Sequence, residues 1–160
     1  YNTMAKVNPP LRNSEDVDAV INGLCDGTID IIATDHAPHH ADEKNVEFDK
    51  AANGIVGFET ALPLSYTALV VSGKLTMPDL VRKLCKGPSD ILKINKGELK
   101  TGSAADITIF DPIPSYRIDV TKFASKSKNS PFHGYPVTGR VVTTIVGGKI
   151  TVMDGQIIPK

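Results

Sequence analysis

Thr34-Asp35-His36-Ala37-Pro38-His39 follows directly on the apolar-rich run Ile29 to Ala33, so a carboxylate and two imidazoles stand where a strand-like stretch stops. Ala37-Pro38 cannot continue a β-ladder, which puts Asp35 on a strand lip facing a loop. In barrel enzymes, carboxylates at such lips do chemistry. On these six residues alone a second reading has equal weight: an aspartate before Ala-Pro also forms an Asx turn, satisfying backbone donors with no catalytic role.

Outward from this run the chain divides by period. Asn13-Ser14-Glu15 ahead of Val17, Val20, Ile21 and Leu24 predicts a capped helix that Gly27 ends, and a strand over Ile29 to Thr34 follows. Residues 35–57 read as a long polar loop of the kind that serves as a lid or binding loop. Helices are predicted over Glu59 to Val71, where Pro63 falls in the first turn, from Thr76 through Leu84, and briefly over Pro88 to Leu92. From Glu98 the period changes to short β-branched stretches, Ala105 to Phe110, Val137 to Val146 and Lys149 to Val152, separated by Asp-Pro, Gly-Gly and Asp-Gly turns. The polar residues 111–134 read as a surface excursion.

This pattern is α/β, with residues 1–97 as one region and 98–160 as a small β region. A (β/α)8 barrel takes about 200 or more residues. Only one or two barrel-type strands, around Lys6-Val7-Asn8 and over Ile29 to Thr34, are legible here, so most of any such barrel is absent. Residue 1 is not methionine, which agrees with a piece of something longer.

Composition narrows the partners. Lys plus Arg and Asp plus Glu both number 18, leaving no basic excess to neutralise a phosphate backbone, and nucleic acid is not expected. No apolar stretch approaches the roughly 18 residues of a transmembrane helix, and the start lacks a signal peptide's regions, so a cytoplasmic protein away from membranes is expected. Cys25 and Cys85 fall in helical segments and are expected reduced and buried.

A hydrolytic metal site needs three or more N or O ligands and an open position for water. The four histidines, His36, His39, His40 and His133, include no His-x-His, and a self-contained site would have to come from one tight turn.

Ala33-Thr34-Asp35-His36-Ala37-Pro38-His39, followed after four residues by Lys44, resembles the second signature of the dihydroorotases, cyclic amidohydrolases of the metal-dependent amidohydrolase superfamily. Lys6-Val7-Asn8-Pro9-Pro10-Leu11-Arg12 is similar to the family's segment upstream of the last barrel strand. Gly54-Ile55-Val56-Gly57-Phe58-Glu59-Thr60 resembles its substrate loop, and Ala104 to Asp111 its accessory strands. The likeness covers essentially the whole chain and corresponds to the second half of the enzyme.

The resemblance implies the C-terminal part of a metal-dependent (β/α)8 TIM barrel over residues 1–97, with an accessory β-sandwich-type subdomain over 98–160. It implies reversible cyclisation of N-carbamoyl-L-aspartate to L-dihydroorotate by a zinc-activated hydroxide, two zinc ions per complete site, and a homodimer. Asp35 is implied as metal ligand and general acid/base. Asn8 and His39 are implied as holders of the substrate carboxylate beside an arginine outside this chain, and the Gly54 backbone as a contact to the ring edge. The remaining ligands, among them the His-x-His pair, are expected in a missing N-terminal half, without which the 160 residues should bind zinc poorly and be inactive.

Blander readings accompany several of these residues: a turn for Asn8, a surface histidine for His39, loop orientation for His36, solvation for His40, an ion pair from Arg12 to Glu15 or Asp16, and a structural role for Lys44. Asn53 stands where the family often has an apolar or aromatic residue. Two rival functions remain: a hydantoinase or allantoinase, against which Ala37-Pro38-His39 and Asn8 to Arg12 argue, and an inactive scaffold chain for aspartate transcarbamoylase, against which the retained Asp35 and His39 argue.

Overall fold

The computed structural model describes residues 1–159. Lys160, the last residue of the β region, lies outside them. After a 3-10 turn over Thr3–Ala5, helix α1 runs Ser14–Asp26. Asn13 caps it by accepting from the Asp16 N–H at 2.9 Å, and Gly27 closes it at φ 87°, a left-handed conformation that a residue without Cβ takes at little cost.

The expected strand at Ile29 to Thr34 is not part of a sheet. Its Ile29 N–H donates to Gly23 O at 2.8 Å and its Ile32 N–H to Lys83 O at 3.1 Å, fastening the segment between helices. A parallel bridge between His36 and Ile55 is the one ladder contact nearby among the described residues. Lys6-Val7-Asn8 is likewise unpaired as a strand. Both corrections have one cause: a parallel strand exists through neighbours on its flanks, and the described residues place none beside these two segments.

Residues 35–57 are less of a loop than their polarity predicts. They contain helix α2, Ala41–Lys44, and bury Lys44, Ala51 and Val56. Helix α3, Ala61–Ser65, holds Pro63 in its first turn and continues as a wider π-helical segment, Tyr66–Val71. The two helices expected between Thr76 and Leu92 are one. Helix α4, Met77–Val81, passes through a π-helical segment, Arg82–Lys86, into α5, Gly87–Ile91. Pro88 lacks a donor and its ring would clash one turn back in a regular helix, and the widened turn before it relieves both problems.

Leu24, Leu69 and Leu80 form the buried centre of this half, with Ile21, Ile29, Ile32, Tyr66 and Leu84 packed around them. Val17 and Val20 of α1 point away and stay exposed. Cys25 and Cys85 are free, as expected, but both are exposed rather than buried.

The C-terminal half is a four-stranded antiparallel sheet in the order β1, Ile107–Arg117; β2, Pro136–Val146; β3, Lys149–Met153; β4, Gln156–Ile157. Gly147-Gly148 and Asp154-Gly155 take positive φ at both turn positions, as two-residue hairpins of this twist require. β1 runs past the Asp111-Pro112 point where a turn was expected. Register shifts between Asp111 and Ser115 absorb Pro112 and Pro114, which cannot donate to a ladder.

The sheet meets the helices through Tyr66 and Phe110, edge to face at 5.0 Å, and through Thr67. The Thr67 hydroxyl accepts from the Thr138 N–H at 2.9 Å and lies 3.3 Å from the same residue's carbonyl. The excursion over 111–134 is therefore only partly superficial: Ile118, Asn129 and Ser130 are buried.

Candidate active site

Asp35 occupies the lip after the extended segment at φ 42°, a left-handed conformation in which Asp and Asn are tolerated better than most residues. Its side chain is exposed, and among the described residues no hydrogen bond or ion pair engages its carboxylate. An Asx-turn cap would show such a bond, so the carboxylate is available for other work.

The next residues are held by loop 53–58. Ala37 N–H donates to Ile55 O at 3.0 Å. His36 Nδ1 accepts from the N–H groups of Gly57 at 3.0 Å and Phe58 at 3.3 Å, and its ring stacks on Phe58 at 4.0 Å. His36 therefore orients a loop. Gly57 passes so close to Thr34 that a Cβ there would lie 2.9 Å from the threonine Cβ.

His39 is half-buried between two acceptors. Its Nδ1 faces Glu43 Oε2 at 3.2 Å and its Nε2 faces Asn53 O at 2.9 Å. A carbonyl and a carboxylate only accept, so the ring is the donor in either contact. Glu43 is held below the usual carboxylate range, first by the His40 N–H and next by the His39 ring. The same glutamate completes a capping box with His40, whose Nδ1 accepts from the Asp42 N–H at 3.3 Å.

Gly54 runs at φ 140°, and a Cβ there would stand 2.6 Å from that of Ala37 and 3.0 Å from His39 Nε2. Its N–H donates to Lys6 O at 3.0 Å. Its carbonyl accepts from Lys44 Nζ at 3.1 Å and from Asn129 Nδ2 at 3.0 Å. Both backbone groups of Gly54 thus have partners within the chain. The bond to Lys6 draws the segment carrying Asn8, itself exposed, toward this loop. Arg12 pairs with Asp16 at 3.3 Å on the surface, and His133 accepts from the Val120 N–H at 3.3 Å, away from these groups.

Sequence reasoning missed the strap from the far end of the chain. Ser127 Oγ donates to His39 O at 2.6 Å, and the buried Asn129 carboxamide accepts from the His39 N–H at 3.2 Å and donates to Ala37 O at 2.9 Å. The Asn129 carbonyl accepts from the Val56 N–H at 3.0 Å, while Glu59 takes the N–H groups of Ala124 and Ser125 at 2.8 and 3.0 Å. The signal for it was thin: an asparagine before Ser130-Pro131 in a stretch of lysines and serines.

The described residues do not fit a metal ion by themselves, since no three His, Cys, Asp or Glu side chains among them converge. Asp35 offers one hard oxygen donor. No described helix is long and apolar enough to cross a membrane.

Known proteins resemble the chain along almost its whole length. Dihydroorotase from Acetivibrio thermocellus is 64% identical over 154 residues, which are 96% of this chain and 36% of that protein. Dihydroorotases from Ruminiclostridium cellulolyticum and Geobacter metallireducens are 60% and 59% identical, over 92% and 94% of this chain and 35% of each relative. The chain thus spans about a third of the length of the curated relatives it matches. Among solved structures, the L-hydantoinase (dihydropyrimidinase) from Arthrobacter aurescens superimposes with a TM-score of 0.91 at 36% identity, covering 97% of this chain and 36% of that one. Dihydropyrimidinase from Brevibacillus agri gives a TM-score of 0.90 at 25% identity, over 98% of this chain and 35% of the other. The model of the amidohydrolase family matches residues 4–151, and the chain belongs to that family.

Proposed function

We propose that this chain forms the C-terminal part of a dihydroorotase, contributing the last portion of its (β/α)8 barrel through residue 97 and an accessory β subdomain from residue 98. The observation that carries this reading is the 59–64% identity to three dihydroorotases across nearly the whole chain. Identity to the hydantoinase-type structures is 36% at most among those compared above, although their backbones follow the same path. A hydantoinase-type cyclic amidase is therefore the second reading.

In the hydrolytic direction, water adds to the ring amide carbonyl of dihydroorotate, the carbon–nitrogen bond breaks, and the nitrogen leaves with a proton. Asp35 takes the proton from the attacking water and returns it to that nitrogen. A free carboxylate at the strand lip suits both halves of the transfer. Asn8 and His39 hold the substrate carboxylate. Each ring nitrogen of His39 already faces an acceptor, so the substrate carboxylate replaces one of them. Gly54, through its missing Cβ, lets the loop close on Ala37 and His39 at the ring edge.

Zinc enters this reading through Asp35 as one oxygen ligand, with the other ligands supplied by parts of the full-length enzyme beyond this chain. The full-length enzyme is read as a homodimer in the cytoplasm. Comparing turnover of dihydroorotate, hydantoin and allantoin by the full-length protein tests the proposal. Preference for dihydroorotate is expected; preference for hydantoin or allantoin would select the second reading, and inertness toward all three would favour a scaffold chain.

A further inference from the structure

Lys44 has no exposed surface, yet no carboxylate accompanies its ammonium among the described residues. Its three N–H donors are met by three carbonyls: Ala52 O at 2.8 Å, Gly54 O at 3.1 Å and Lys6 O at 3.3 Å. Burial pushes the ammonium down from its usual range, and the charge of Lys6 adds to that. An ammonium held by dipoles alone is a costly way to fill space, because an apolar side chain of the same length would pack there without desolvation. What the lysine supplies and an apolar side chain cannot is convergence: three backbone segments drawn to one point.

Asn129 does the same from the other side. It lies 75 residues beyond Gly54 and 92 beyond Ala37, and its carboxamide spans both, together with the His39 N–H. Lys44 and Asn129 meet on a single atom, the Gly54 carbonyl oxygen. Both lie apart from the helical core around Leu24, Leu69 and Leu80. Every bond their side chains make ends on the segment that carries Asn8, on residues 37–39 or on residues 52–54.

We propose that Lys44 and Asn129 are positioning residues which, by clamping the Gly54 carbonyl between them, set the spacing between His39 and Asn8 and so the fit of the substrate carboxylate. Lys44 fixes the loop against the Asn8 segment through Lys6 O. Asn129 fixes it against His39, and Ser127 holds the other side of the same residue's backbone. Neither side chain touches the reacting atoms. The proposal rests on the dihydroorotase reading.

The test uses the full-length protein with Lys44→Met, Asn129→Asp and Ser127→Ala, measuring kcat and KM for dihydroorotate. Methionine keeps the length and removes the donors. Aspartate keeps the shape and the acceptor for the His39 N–H while losing the bonds to Ala37 and Gly54. Each of the first two is expected to raise KM about tenfold or more with kcat within about threefold, the signature of lost binding geometry rather than lost chemistry. Ser127→Ala is expected to move KM in the same direction by a smaller factor. The double variant Lys44→Met with Asn129→Asp is expected to lose less than the product of the single effects, because both act on one carbonyl.

Unchanged KM in variants that remain folded by circular dichroism, or a fall in kcat at constant KM, would overturn the proposal. Loss of folding in all three would replace it with a plain stability role. Wild-type protein inert toward dihydroorotate would refute the functional reading and this proposal with it; active wild type with unaltered variant KM values would refute this proposal alone.

Discussion

Replacing Gly54 by alanine should damage the protein far more than the same change at Gly27, although both glycines have positive φ, 140° and 87°. At Gly27 a Cβ would meet nothing within 4 Å, so only the backbone term applies, about 1–2 kcal/mol for a left-handed L-residue. At Gly54 the added carbon would sit 2.6 Å from Ala37 Cβ, an atom fixed to the backbone and unable to rotate away. Overpacking of this kind costs about 1–3 kcal/mol on top of a strained φ. The loop would have to retreat from the Lys44 and Asn129 donors, lengthening bonds that are now 3.1 and 3.0 Å. Urea unfolding of the full-length protein, followed by circular dichroism, should therefore place Gly54→Ala about 1–3 kcal/mol below Gly27→Ala. Equal midpoints and slopes for the two variants would refute the claim that the Gly54 backbone is pressed against Ala37 and His39.

Thr67→Val removes the hydroxyl that accepts from the Thr138 N–H and donates to Pro63 O at 2.7 Å, and should cost about 1–3 kcal/mol in thermal or urea unfolding by leaving a part-buried donor without a partner. Glu43 titrates below its ordinary value because of the His40 N–H and then the His39 ring, so its contribution to stability is present above the unfolded-state value and is lost as pH falls through the lowered folded value. Glu43→Gln should flatten the acid limb of a plot of thermal midpoint against pH, and an unaltered limb would contradict the role given to this carboxylate. For Lys44 the sign reverses: burial disfavours the charged form, so stability should rise as pH climbs from the depressed folded value toward the unfolded one. Lys44→Met should lack that alkaline rise.

How far the chain could be read in advance depended on how local each element's cause is. Helix α1 was legible because Asn13 and Gly27 carry their own capping chemistry. The hairpins of the sheet were legible because Gly147-Gly148 and Asp154-Gly155 dictate their turns. Ile29 to Thr34 and Lys6 to Asn8 carry strand-like residues, but a ladder depends on neighbours that a segment's own sequence does not specify. The π-helical turn ahead of Pro88 joins two helices that a proline in the sequence marks as separate.

The same distinction runs through the candidate site. Asp35, His36 and His39 share one short run and were found together. Lys44 belongs to the signature run, but nothing in the sequence shows that its ammonium meets three backbone carbonyls. Asn129 reaches Ala37 and His39 from about 90 residues away, and polarity marked its surroundings as surface, so no periodicity or spacing pointed to it.

The central claim is that Asp35 moves the proton in a dihydroorotase reaction. The most direct measurement is kcat for dihydroorotate hydrolysis by full-length Asp35→Asn protein beside wild type. Asparagine is nearly isosteric and tolerates the φ of 42°, so the fold should persist while proton transfer is lost. The account predicts a fall in kcat of about 10²–10⁴-fold with an unchanged circular dichroism spectrum. A folded variant with kcat within about threefold of wild type, well short of the loss expected for a general acid/base, would contradict it.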